Sequence, residues 1–117
     1  MNLTMNRRIQ DETTCLLDIE GEIDVYTSSQ IKQDLVQLAE RGIKKVIINL
    51  SKVEYLDSTG LGVLIGGLKR LREAGGNLAL FGPGMRIQRI FEITGLNKIF
   101  DIYETEEEAM AKEGVTL

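Results

Sequence analysis

The segment Val46-Ile47-Ile48-Asn49-Leu50 constrains this chain most, because a strand so nearly continuous in apolar side chains needs cover on both faces. Such a strand sits inside a sheet, pairs in parallel and is reached through crossover helices. Residues 3–9 and 13–20 read as two earlier strands joined by a Gln10-Asp11-Glu12 turn. In the second, Thr13, Cys15, Leu17 and Ile19 share one face, and Thr14, Leu16, Asp18 and Glu20 the other.

Helices fill the intervals. Thr27 and Gln30 are spaced as a capping box and Tyr26 and Ile31 as a hydrophobic staple, predicting a helix with the inward stripe Ile31, Leu35, Leu38 and Ala39 that ends at Gly42. After the Asp57-Ser58 turn, Leu61, Leu64, Ile65, Leu68 and Leu71 recur at helical spacing up to about Ala74, where Gly75-Gly76 stops them. Leu78-Ala79-Leu80-Phe81 reads as a strand, and Ile87, Ile90 and Phe91 as a short helix closed by Gly95. Residues 99–103 suit a short strand, and 105–112 a terminal helix with Thr105 and Glu108 as its capping box. This order predicts an α/β fold with a mixed four- to five-stranded sheet, about four helices and right-handed later crossovers. With 117 residues, 43% of them hydrophobic, the chain suits a single domain, 1–117.

Composition narrows the function. A net charge of −4, from 18 acidic against 14 basic residues, argues against nucleic acid or an anionic membrane as partner. The amino-terminal stretch Met1 to Arg8 has no apolar run and no later segment reaches spanning length, so a cytoplasmic protein is expected. The single cysteine, Cys15, falls on the inward face of its strand and reads as a small core residue.

Chemistry is scarce as well. The absence of histidine removes most catalytic triads, the one thiol points inward, and no His/Cys cluster suits zinc, so neither an enzyme nor a metal or cofactor is expected. Ser29 and Lys32 match the Ser-x-x-Lys spacing of acyl-serine enzymes, but the companion motifs are missing. Gly60-Leu61-Gly62 at a strand-to-helix junction resembles a dinucleotide fingerprint, yet its third glycine falls one place late and the position of the acidic ribose ligand holds Leu80 or Phe81.

Two readings of Gly62 and Gly66 stand side by side. Four apart on a helix, and with Thr59, they leave one side without bulk, either for tight internal packing or for a partner on a flat surface. Asp57 has the chemistry of an N-cap, which leaves the Ser58 hydroxyl projecting from the first turn. A phosphate there would carry about −1.5 to −2 charges, favoured by the helix's positive end but close to the Asp57 carboxylate. Ser58 is then either an ordinary first-turn serine or a switch.

Resemblance bears on that choice. Ile48-Asn49-Leu50 followed by Tyr55-Leu56-Asp57-Ser58-Thr59-Gly60-Leu61-Gly62 resembles the phosphorylation segment of anti-sigma factor antagonists, stand-alone members of the STAS (sulphate transporter and anti-sigma factor antagonist) domain family. Gly21-Glu22-Ile23-Asp24, Gly75-Gly76 and Ile90-Phe91-Glu92-Ile93-Thr94-Gly95-Leu96 resemble further family segments in the same order. The resemblance implies a STAS-type fold and a regulatory binding protein. Its unphosphorylated form would sequester an anti-sigma factor serine kinase and free a sigma factor; phosphorylation at Ser58 would release the kinase, and a serine phosphatase would reverse this. It also implies partner contacts at Asp24, Asp57, Ser58, Thr59, Gly60 and Gly62, with Thr59 as a lesser acceptor, and a monomer or weak dimer. Asp24 reads equally as an ordinary turn residue. A scaffold or stress-sensor subunit and a nucleotide-binding domain are the alternatives.

Overall fold

The computed structural model describes residues 2–115; Met1, which opens the amino-terminal stretch without an apolar run, lies outside the described residues. The elements are β1 (Leu3–Ile9), β2 (Thr14–Ile23), α1 (Ser28–Glu40), β3 (Lys45–Leu56), α2 (Ser58–Glu73), β4 (Asn77–Phe81), α3 (Met85–Thr94), a 3-10 turn (Leu96–Lys98), β5 (Asp101–Tyr103) and α4 (Glu106–Lys112). They form a five-stranded sheet in the order β1-β2-β3-β4-β5. β1 is antiparallel to β2 and all later pairings are parallel.

That order has a consequence for the layers. Right-handed crossovers that always advance in one direction deliver every connecting helix to the same face of the sheet. On that face Cys15, Leu17, Ile19, Val46, Ile48, Leu50, Leu78 and Leu80 pack with Ile31 and Leu35 of α1, Leu64 and Leu68 of α2, and Ile87 and Phe91 of α3. Among the described residues the opposite face is covered by α4 and the residues just after it, where Ala109, Met110 and Val115 close over Leu16, Ile47, Ala79 and Phe81. Both Ile47 and Ile48 are fully buried, so β3 has the two-sided cover that its composition requires. Beside the start of α4 the second face is polar: the Arg8 guanidinium donates to Asp18 at 2.8 and 2.9 Å and to Glu106 at 2.6 Å, and Asn49 donates to Asp18 at 3.0 Å. These bonds tie β1, β2, β3 and α4 together.

Several boundaries differ from expectation. Thr13 stays outside β2, whereas β2 continues to Ile23 and β3 to Leu56, because pairing persists through Glu22↔Tyr55 and Ile23↔Leu56 after two register shifts that break the alternation. Ile65 lies at the surface rather than in the α2 stripe, and Ala39 is only half-buried. The Cys15 thiol is buried, and the cost of burying its charged form raises its pKa. Thr105 caps α4 as its spacing predicts, accepting the Glu108 amide at 3.1 Å.

Candidate functional site

Because β2 and β3 end in register at Ile23↔Leu56, the turns that follow them emerge side by side. The Asp57 amide donates to the Ile23 carbonyl at 3.1 Å, pinning the second turn to the first. Asp57 itself is extended (φ −104, ψ −177), and its Oδ1 accepts the Gly60 amide at 2.9 Å while its carbonyl accepts the Leu61 amide at 2.9 Å. This is the N-cap that the sequence predicts, and it leaves Ser58 and Thr59 exposed on the first turn of α2.

The neighbouring turn is built differently from expectation. Asp24 is 7% exposed, and its Oδ1 accepts the amides of Tyr26 and Thr27 at 2.8 and 2.9 Å and the Thr27 hydroxyl at 3.2 Å. Burial opposes charge on Asp24, but these donors outweigh it and hold its carboxyl below the usual value. The Thr27 hydroxyl also donates to the Glu22 carbonyl at 2.7 Å and accepts the Asp24 amide at 3.0 Å. Thr27 therefore does not cap α1 with its side chain: its backbone is helical (φ −99, ψ −20), and the hydroxyl faces back into the turn. The staple fails too, since Tyr26 is 71% exposed. Asp24 works as the internal brace of this turn, and Val25 and Tyr26 form its outer surface.

The glycines of α2 divide into two kinds. A Cβ on Gly60 would stand 2.6 Å from Ile23 Cγ2, 2.8 Å from Leu56 Cδ1 and 2.9 Å from the Ile23 carbonyl oxygen. Gly60 is buried and lets the helix start close against β2. Gly67 likewise packs inward, against Leu35 and Leu78. Gly62 and Gly66 are exposed, with nothing within 4 Å of an added Cβ, so the tight-packing reading is overturned for this pair. They line a groove of about 480 Å³ between α1 and α2, with Lys32, Thr59, Val63 and Arg70 on its walls.

The sequence expectations thus separate in space. Ser58, Thr59 and Gly62 are brought together on one surface, Asp57 is partly buried as the cap, and Asp24 and Gly60 lie beneath. Sequence reasoning named Lys32 only for its spacing to Ser29 and missed Lys32 and Arg70 as walls of this groove, because charges on outer positions carry no periodic signal. For nucleotide chemistry the geometry is poor. The strand order never reverses, so the sheet lacks the switch-point crevice at which doubly wound sheets bind dinucleotides, and the Gly60 amide is already occupied by Asp57. What the turn does offer is an exposed hydroxyl at the positive end of a helix fixed by its own cap.

A family model described as the STAS domain matches residues 4–109. The chain belongs to the STAS domain family. Among curated relatives of this STAS domain is an anti-sigma-B factor antagonist of Bacillus subtilis, 42% identical over 92% of this chain and 96% of that protein. A solved anti-sigma factor antagonist from Mycobacterium paratuberculosis superposes with a TM-score of 0.87 at 26% identity, covering 97% of this chain and 95% of that one. The fold is shared with the anti-sigma factor antagonist SpoIIAA in its unphosphorylated form, with a TM-score of 0.83 at 22% identity over 97% of this chain and 100% of that one. The phosphorylated form of SpoIIAA, a Bacillus cell fate determinant, gives a TM-score of 0.74 at 23% identity over 93% and 98%. Among the described residues no helix is long and apolar enough to cross a membrane.

Proposed function

We propose that this STAS domain is an anti-sigma factor antagonist switched by phosphorylation of Ser58. The observation that carries the reading is the exposed Ser58 on a first helical turn that Asp57 already caps, beside a second turn braced by Asp24. Relatives named as antagonists of an anti-sigma factor support the partner class, and a fold relative known in both phosphorylated and unphosphorylated forms supports the type of switch. In this reading the unphosphorylated chain binds an anti-sigma factor serine kinase through Ser58, Thr59, Gly62 and the outer residues of the Asp24 turn. Asp57, Asp24 and Gly60 shape that surface from below.

A phosphate on Ser58 leaves the fold intact, because the amino-terminal dipole of α2 favours the added charge and Asp57 keeps its bond to Gly60. The partner instead meets a bulky dianion where it had met a hydroxyl, and it dissociates until a serine phosphatase removes the group. The test pairs the chain with a cognate kinase and ATP. Wild type should gain one phosphate, Ser58→Ala should gain none and still bind, and Ser58→Asp should bind at least about tenfold more weakly, a loss of about 1.4 kcal/mol. Full phosphorylation of Ser58→Ala, or undiminished binding by Ser58→Asp, overturns the mechanism.

A further inference from the structure

The outer surface of α3 takes no part in the proposed switch. Met85 is 82% exposed and Ile93 78%, the largest exposures among the large hydrophobic side chains of the described residues. At about 100° per residue, Met85, Arg89, Ile93, Arg86 and Ile90 fall in that order on one continuous arc of about 140°. Ile87 and Phe91 occupy the side of the helix that enters the core and Ile90, at the far edge of the arc, packs partly against it, whereas Met85, Arg86, Arg89 and Ile93 are exposed. No carboxylate interrupts it: Glu92 lies beyond its Met85 edge, bonded to Gln88. Among the described residues the side chains of Arg86 and Arg89 make no hydrogen bond or ion pair. An apolar strip bearing two unpaired cations, on a chain of net charge −4, is out of keeping with the rest of the surface.

We propose that this arc of α3 is a second docking surface, shaped for an acidic amphipathic helix of a partner protein. Apolar side chains at helical spacing on such a partner meet Met85, Ile90 and Ile93, and its flanking carboxylates meet Arg86 and Arg89. A second copy fits poorly, because a two-fold dimer through this arc sets the arginines of one protomer against those of its partner. An anionic membrane offers charge without apolar side chains at helical spacing, and vesicles are therefore the competing arm of the test. The proposal goes beyond the Ser58 switch and does not depend on it.

The test titrates the intact chain with a fluorescent helical peptide that has leucines at i, i+3 and i+4 flanked by glutamates, and maps the contact by amide chemical shifts. Control probes are the same peptide with lysines for glutamates, a scrambled sequence, and anionic vesicles. The glutamate peptide should bind most tightly, shift amides of residues 85–93, and lose affinity as salt rises. Arg86→Glu with Arg89→Glu, and separately Met85→Ser with Ile93→Ser, should each weaken binding at least about tenfold. Because all four side chains sit on an outward arc, both variants should keep the wild-type melting temperature. Ser58→Asp should bind this peptide like wild type, so failure of the switch and failure of this surface remain distinguishable. The proposal is overturned if the peptide does not bind, if lysine peptide or vesicles bind as well, if the shifts fall elsewhere, or if the arc proves to hold a second copy by self-association that the variants abolish.

Discussion

The glycines of α2 yield a prediction in which one substitution has opposite signs at neighbouring positions of the same helix. At Gly60 a new methyl would lie 2.6 Å from Ile23 Cγ2 and 2.9 Å from the Ile23 carbonyl oxygen, closer than carbon normally approaches either. The side chain of Ile23 can turn, but its carbonyl is held by the Asp57 amide, so the start of α2 must lift from the sheet. Overpacking of this kind costs about 1–3 kcal/mol, and alanine's helical advantage over glycine, at most about 1 kcal/mol, offsets only part of it. Gly60→Ala should therefore destabilise by about 1–2 kcal/mol, lowering the melting temperature by about 4–8 °C. At Gly62 and Gly66 nothing lies within 4 Å of the added carbon, so each alanine should stabilise by about 0.5–1 kcal/mol. Urea denaturation followed by far-ultraviolet circular dichroism measures both. A Gly60→Ala protein as stable as wild type, or a destabilised Gly62→Ala, refutes the packing argument.

The turn beside Ser58 can be probed in the same way: Thr27→Val keeps the shape but removes the hydroxyl's bonds to the Glu22 carbonyl and the Asp24 amide, and should cost about 1–3 kcal/mol in a urea titration. An unchanged midpoint would show that the hydroxyl does not brace the turn. Acid stability follows from Asp18 and Asp24. Burial works against the charge of each, but hydrogen bonds from Arg8 and Asn49 to Asp18, and from Thr27 and Tyr26 to Asp24, hold both carboxyls below their usual range. A carboxyl depressed on folding stabilises fully above its unfolded pKa, near about 4, and that contribution disappears as pH falls through the folded value. Thermal stability should be level from neutral pH down to about 5 and then decline, and Asp18→Asn with Asp24→Asn should flatten the decline. An equally steep acid limb in the double variant would place the titration elsewhere.

Much of this architecture is legible in the sequence wherever local chemistry decides. The run from Val46 to Leu50 needs cover on both faces whatever surrounds it, and the Asp57 cap and the Thr105 cap require only their own next residues. Ser58 on a first helical turn follows from the same local rule. Thr27 shows where that rule stops: its spacing to Gln30 satisfies a capping box, but Asp24 engages its amide and hydroxyl first, and the Glu22 carbonyl is brought within reach only by the end of β2.

Tertiary structure decided the rest. Gly60, Gly62, Gly66 and Gly67 are identical in sequence terms, and only the approach of Ile23, Leu56, Leu35 and Leu78 separates the two that fill the interior from the two that open a groove. Pairing of Ile23 with Leu56 set the Asp24 turn beside Ser58, a neighbourhood that residue composition does not encode. The α3 arc is a matter of the same kind, since apolar spacing shows that a helix forms but not which of its faces the sheet leaves uncovered. Sequence determines what each segment can do with its own backbone and its near neighbours. Surfaces and sites wait on long-range packing, because burial is a property of what arrives from elsewhere in the chain.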